Sequence, residues 1–124
     1  MNHLLLIATG GALGAVSRYL VSTGVHGLLG RDFPYGTLSV NVLGSLLMGF
    51  FYILLLERLD PGGHWRPLLL VGFLGAFTTF STFSIETINL MEGGELFRAM
   101  LNVLASVSTC IVACWIGVIL GRQL

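Results

Sequence analysis

Phe80 and Phe83 stand three residues apart in the stretch "GAFTTFSTFSIE" (75–86), among five hydroxylated residues: Thr78, Thr79, Ser81, Thr82 and Ser84. At that spacing both rings share one face of a helix. The edge of a phenyl ring carries partial positive charge, while its face is negative. Two ring edges beside the O–H donors of Ser81, Thr82 and Ser84 can face a small anion without a full positive charge to trap it. Asn41, on the preceding apolar segment, adds an amide with two N–H donors. Thr37, Asn41, Ser45 and Gly49 recur every four residues and share a face. Asn41 therefore reads either as a donor to an ion or as a hydrogen-bond partner for another helix.

The same stretch can also serve a cation. Gly72 and Gly75 precede the cluster, and Thr78–Thr79 are β-branched. Glycine and β-branched residues weaken a helix. A helix interrupted in lipid is tolerated only where neighbouring protein or a cavity satisfies the freed carbonyls. Freed carbonyls at the membrane centre are natural ligands for a small cation such as Na⁺.

Other polar residues are scattered. Glu86 ends the cluster nearer the membrane surface. Arg18 lies inside or near the end of the first apolar segment. It reads either as an interfacial anchor or as a positive charge at an aqueous vestibule. Asn102, Ser106 and Cys110 form a polar stripe at i, i+4 and i+8, suited to helix contacts or to a water path. Cys110 and Cys114 are one turn apart, which is poor disulfide geometry, and two thiolates alone make a weak metal site. They are expected to pack. His3, His26 and His64 fall near segment ends and form no ligand cluster, so they are expected at the interfaces. With no Ser–His–Asp set or HExxH motif, the chain is not expected to be an enzyme.

The elements that must hold these residues follow from composition. The 124-residue chain is 55% hydrophobic and 10% charged, with no lysine. So few charges cannot cover an apolar core in water, and a bilayer is the expected solvent. Four apolar segments, roughly 3–24, 35–56, 67–91 and 96–121, each reach the ~20 residues that cross ~30 Å of hydrocarbon. The expected fold is an all-α membrane protein, a single four-helix transmembrane domain over 1–124, with a broken third helix. The first segment lacks a basic n-region and is expected to be retained.

Four spans put both ends of the chain on one side, with Arg58, Arg66 and Arg122. Arg31 and Arg98 lie on the other side. Three arginines against two give almost no orientation signal. Insertion both ways would let two opposed copies pair about a two-fold axis in the membrane plane. An antiparallel, dual-topology homodimer is therefore expected. "GALGAVSRY" (11–19) also faintly echoes "GFLGAFTTF" (72–80).

Three stretches, "GGALGAVSRY", "GTLSVNVLGSLLMGF" and "GFLGAFTTFSTFSIE", together resemble the CrcB/Fluc family of small bacterial fluoride channels. The resemblance covers essentially the whole chain. It implies antiparallel homodimers in the inner membrane, with two pores that export fluoride passively and confer fluoride resistance. It implies a third helix broken at Gly75–Thr78, and a structural Na⁺ on the dimer axis held by the Gly75 and Thr78 carbonyls. Asn41, Phe80 and Phe83 resemble the pore residues, with Ser81, Thr82 and Ser106 along the polar track. Glu86, Asn102 and Cys110 fall toward its ends, and Arg18 near a vestibule. In the fourth helix the family commonly carries Tyr and Ser where this chain has Asn102, Ser106 and Cys110.

The rival reading is a small proton-coupled multidrug or cation exporter. That chemistry needs a carboxylate deep in the membrane. The first segment has none, and Glu86 is off centre. A structural partner in a larger complex would not need a central Gly–Thr break beside paired phenylalanines.

Overall fold

The computed structural model describes residues 2–59 and 63–124, the side chains of Arg58 and Leu59 excepted. The Arg58 charge counted toward orientation, and Asp60–Gly62 of the second connecting stretch, lie outside that set.

Helix α1 (His3–Leu29) starts where the Asn2 side chain accepts the Leu4 N–H at 3.2 Å. It stops at Gly30, whose φ of 87° favours glycine and whose N–H reaches the His26 carbonyl at 2.8 Å. The first apolar segment was expected to end near 24. The helix instead runs to Leu29, because nothing before Gly30 breaks it and His26 finds a buried partner.

Helix α2 (Tyr35–Leu54) follows Pro34 and passes into a short π-helix, Leu55–Leu59. A second π-helix, Arg66–Leu74, carries Pro67 at its start, where a missing N–H costs nothing. Its wide winding shows at its end, where the Gly75 N–H reaches the Leu70 carbonyl five residues back. Helix α3 (Gly75–Phe77) is less than a turn long. Thr78 and Thr79 are then extended, at φ/ψ of −85°/157° and −150°/123°. Helix α4 (Phe80–Glu92) ends at Gly93. Helix α5 (Leu96–Gln123) follows a turn in which Gly94 has φ of 82°.

Among the described residues, four helical runs are long and apolar enough to cross a membrane: His3–Leu29, Tyr35–Glu57, Arg66–Glu92 and Leu96–Gln123. They pack in two glycine-mediated seams. In one, α1 lies on the second π-helix and α3. A Cβ at Gly10 or Gly14 would strike the backbone of Leu68 or Phe73, and one at Gly72 would lie 2.7 Å from the Ile7 carbonyl oxygen. The two segments of the faint sequence echo thus meet face to face. In the other seam α2 lies on α5, with Gly49 against the Cys114 carbonyl and Gly117 against that of Leu46. Small residues permit this backbone approach, which supplies dispersion energy where lipid offers no hydrophobic drive.

Helix α4 is held more lightly, touching mainly α5 and, less, α2. Leu4, Tyr19, Phe97 and Trp115 point outward from α1 and α5. Such residues suit a surface that lipid or another chain covers.

Candidate functional site

The extended pair Thr78–Thr79 sits where α2, α3 and α4 approach one another. Asn41 reaches it from α2 and bonds it twice. The Asn41 Nδ2 donates to the Thr79 carbonyl at 3.0 Å, and the Thr79 N–H donates to the Asn41 Oδ1 at 2.8 Å. The Thr79 hydroxyl then caps α4 by accepting the Thr82 N–H at 3.2 Å. Ser81 Oγ lies 3.4 Å from the same hydroxyl. The Thr78 N–H and hydroxyl both turn back to the Leu74 carbonyl, at 3.1 and 3.0 Å.

These bonds redirect the ladder. In an uninterrupted α-helix the Gly75 carbonyl would accept the Thr79 N–H, and the Thr78 carbonyl would accept the Thr82 N–H. Here Asn41 takes the first N–H and the Thr79 hydroxyl takes the second. The carbonyls of Gly75 and Thr78 therefore lose their helical donors. Between them, the Ala76 carbonyl accepts from Arg18 Nε at 3.0 Å. Neither sequence reading of Arg18 described this contact: the guanidinium serves the interrupted backbone.

Beside the break lies a cavity of about 390 Å³. It gathers Asn41, Thr78, Phe80, Phe83, Ser106 and Cys110 from α2, the break, α4 and α5. The Phe80 and Phe83 ring centroids are 5.3 Å apart and the rings tilted by 48°. Their environments differ. Phe83 is 7% exposed, whereas Phe80 is 75% exposed in the single chain. Arg18, Gly75, Ser81, Thr82, Glu86 and Asn102 are not among the lining residues. Thr82 and Ser81 instead organise the first turn of α4.

Thr79 and Met48 also line the cavity; the sequence reading gave Thr79 a part only in weakening the helix, and Met48 none. Signals for both were present. Thr79 precedes a helix start as an N-cap residue does, and Met48 lies seven residues after Asn41 on the same helical face.

The stripe on α5 joins helices. Asn102, 1% exposed, donates to the Thr87 hydroxyl of α4 at 2.9 Å. Ser106 donates to the Asn102 Oδ1 at 3.3 Å, and the Thr87 hydroxyl donates to the Phe83 carbonyl at 2.8 Å. This chain leads from the cavity wall at Ser106 to the backbone behind Phe83. Cys110 lines the cavity together with Ser45 of α2.

Glu86 lines a second cavity of about 230 Å³ with His26, Arg31 and Asn89. Its Oε1 is shielded and has no hydrogen-bond partner among the described residues. His26, expected at an interface, lies in the last turn of α1 and is only 8% exposed. Its Nε2 accepts the Gly36 N–H at 3.0 Å, and its Nδ1 lies 3.5 Å from an Arg31 nitrogen. A ring that accepts at Nε2 holds its proton at Nδ1 when neutral. No short-range pattern signals this pairing, because Gly36 belongs to the next helix.

The family described as "CrcB-like protein, Camphor Resistance (CrcB)" matches residues 5–118. The chain belongs to the CrcB-like family. Relatives of this CrcB-like chain carry the name "Fluoride-specific ion channel FluC". The one from Coxiella burnetii (strain Dugway 5J108-111) is 56% identical over 123 residues, covering 98% of this chain and 99% of the relative. The one from Geobacter sulfurreducens is 52% identical over 124 residues, covering 100% of both. The one from Methylococcus capsulatus is 54% identical over 121 residues, covering 98% of this chain but 53% of the relative. The chain thus spans about half of that longer protein.

Proposed function

We propose that this CrcB-like chain conducts fluoride passively across the bacterial inner membrane, as an antiparallel, dual-topology homodimer with two pores. The name of the relatives supports the ion. The observation that carries the reading is the shared cavity, where Phe80, Phe83, Asn41 and Ser106 meet beside the interrupted helix.

Fluoride is small and strongly hydrated, so a pore must replace its water with many donors. The rings of Phe80 and Phe83 supply positive edges at the cavity. The described bonds use one Asn41 N–H on Thr79, which leaves the second for the cavity. The Asn41 oxygen is turned to the Thr79 N–H, so an acceptor that would repel an anion is occupied. Ser81 and Thr82 act through the first turn of α4, which aims both rings. Conduction requires binding that is adequate but not tight, and a wall of neutral donors meets that requirement. The negative-inside potential drives the anion outward, so no coupled energy source is needed.

The donor set of the break also fits Na⁺. The Gly75 and Thr78 carbonyls, whose helical donors are diverted, would hold it, and Gly75 is exposed where a second copy can approach. Bound there, Na⁺ would neutralise carbonyl dipoles that lipid cannot solvate. The exporter alternative is not favoured: Glu86 lines the small second cavity, away from the one beside the break.

The test is anion efflux from reconstituted vesicles. Fluoride is expected to leave while chloride stays. Phe80→Ile or Phe83→Ile keeps bulk and removes the ring quadrupole, and fluoride efflux should fall toward the vesicle background while assembly persists. Unchanged efflux removes the rings from the path. A single cysteine introduced into a Cys110→Ser, Cys114→Ser background should be about half accessible from outside cells, the signature of insertion both ways.

A further inference from the structure

Three sulfur-bearing side chains, Cys110 and Cys114 of α5 and Met48 of α2, line the cavity beside the break. The cysteines are one helical turn apart, so their Cβ atoms lie about 5–6 Å from each other. Met48 comes to the same place through one of the close α2–α5 approaches, because the adjacent Gly49 lies against the Cys114 carbonyl. Two thiols alone make a weak site, and a thioether from the facing helix completes a three-sulfur set. Both cysteines are free and half-buried.

We propose that Cys110, Cys114 and Met48 form a binding site for a soft monovalent metal ion of the Ag⁺ or Cu⁺ class. Thiolate and thioether ligands select soft metals. Among the described residues no group of three His, Cys, Asp or Glu side chains converges, so harder divalent ions lack a comparable set. Charge sets the stoichiometry. An apolar cavity penalises net charge. One thiol therefore releases its proton to water and forms the metal–sulfur bond as thiolate, giving a neutral complex with the monovalent ion. The second thiol and the Met48 thioether add neutral donors. The ion would then sit in the cavity assigned to fluoride, and would obstruct it. The site itself does not depend on that assignment, since metal binding is read without any flux.

The experiment titrates silver nitrate, in chloride-free buffer, into the full chain reconstituted in vesicles. One ion per chain and one released proton are expected, and bound Ag⁺ should protect both thiols from maleimide labelling. The Cys110→Ser, Cys114→Ser variant should lose the stoichiometric binding. Met48→Leu keeps both thiols and a similar volume, and should weaken binding while leaving the protein folded. The proposal is overturned if the native chain binds no stoichiometric Ag⁺ or leaves both thiols open to labelling. Binding that survives loss of both thiols, or that Met48→Leu leaves unchanged, overturns it equally.

Discussion

Two joints in this chain strand backbone groups, and each is repaired by a side chain from another helix. At the Thr78–Thr79 break the repair is Asn41, which gives and accepts one hydrogen bond. At the turn between α1 and α2 it is His26, which accepts one, from Gly36. The first joint lies within the Arg66–Glu92 run and the second at helix ends. Lipid cannot serve a leftover N–H or carbonyl, and here the side-chain repair serves both groups of Thr79. At a helix end, water can serve what the protein leaves. A primary amide offers donor and acceptor without titrating. That makes Asn suited to the deep joint, and lets His serve the shallow one.

The sharpest way to break this comparison is to remove Asn41. Asn41→Ala strands the Thr79 N–H and carbonyl together, at about 1–3 kcal/mol for each unsatisfied group. The expected loss is the largest of any single polar substitution proposed here. Thermal unfolding in detergent should show it, and fluoride efflux should fall with it. An Asn41→Ala protein that unfolds and conducts like the wild type would show that the amide is not what seals the break.

His26→Ala should cost less, about 1–2 kcal/mol, because only one backbone group, the Gly36 N–H, loses its partner. His26→Gln sharpens the point: an amide oxygen can accept the same N–H, and should restore part of the loss. The readout is the same unfolding measurement. If His26→Ala destabilises as much as Asn41→Ala, then depth in the membrane does not govern the difference.

The four apolar runs were legible in the sequence because lipid imposes a length on every crossing element. The extended pair Thr78–Thr79 falls in a stretch whose glycines and β-branched residues weaken a helix by local means. Local pattern also put Phe80 and Phe83 together, and both line one cavity. What remained hidden depends on which helix faces which. Asn41 and Thr79 are far apart in sequence, and nothing near either one names the other. The same holds for Arg18 with Ala76 and for His26 with Gly36. The unequal burial of Phe80 and Phe83 is likewise a property of the assembled helices. His26 illustrates this: its place near a segment end was legible, but its burial against the start of the next helix was not.

The smallest effect is expected at Asn102, although it is the most buried polar side chain described. Its amide joins α5 to α4 through Thr87. Asn102→Ala removes that bond without orphaning its neighbours. The Thr87 hydroxyl keeps the Phe83 carbonyl as its acceptor, and the Ser106 hydroxyl can turn to its own helix, as serine does within a helix. The cost should be about 1 kcal/mol plus whatever the vacated volume adds. This reverses the ranking that burial alone would give, since Asn41 is less buried yet leaves two backbone groups behind. Unfolding of Asn102→Ala beside Asn41→Ala decides between the two rules: should Asn102→Ala be the more damaging, burial rather than stranded backbone sets the stability of this bundle.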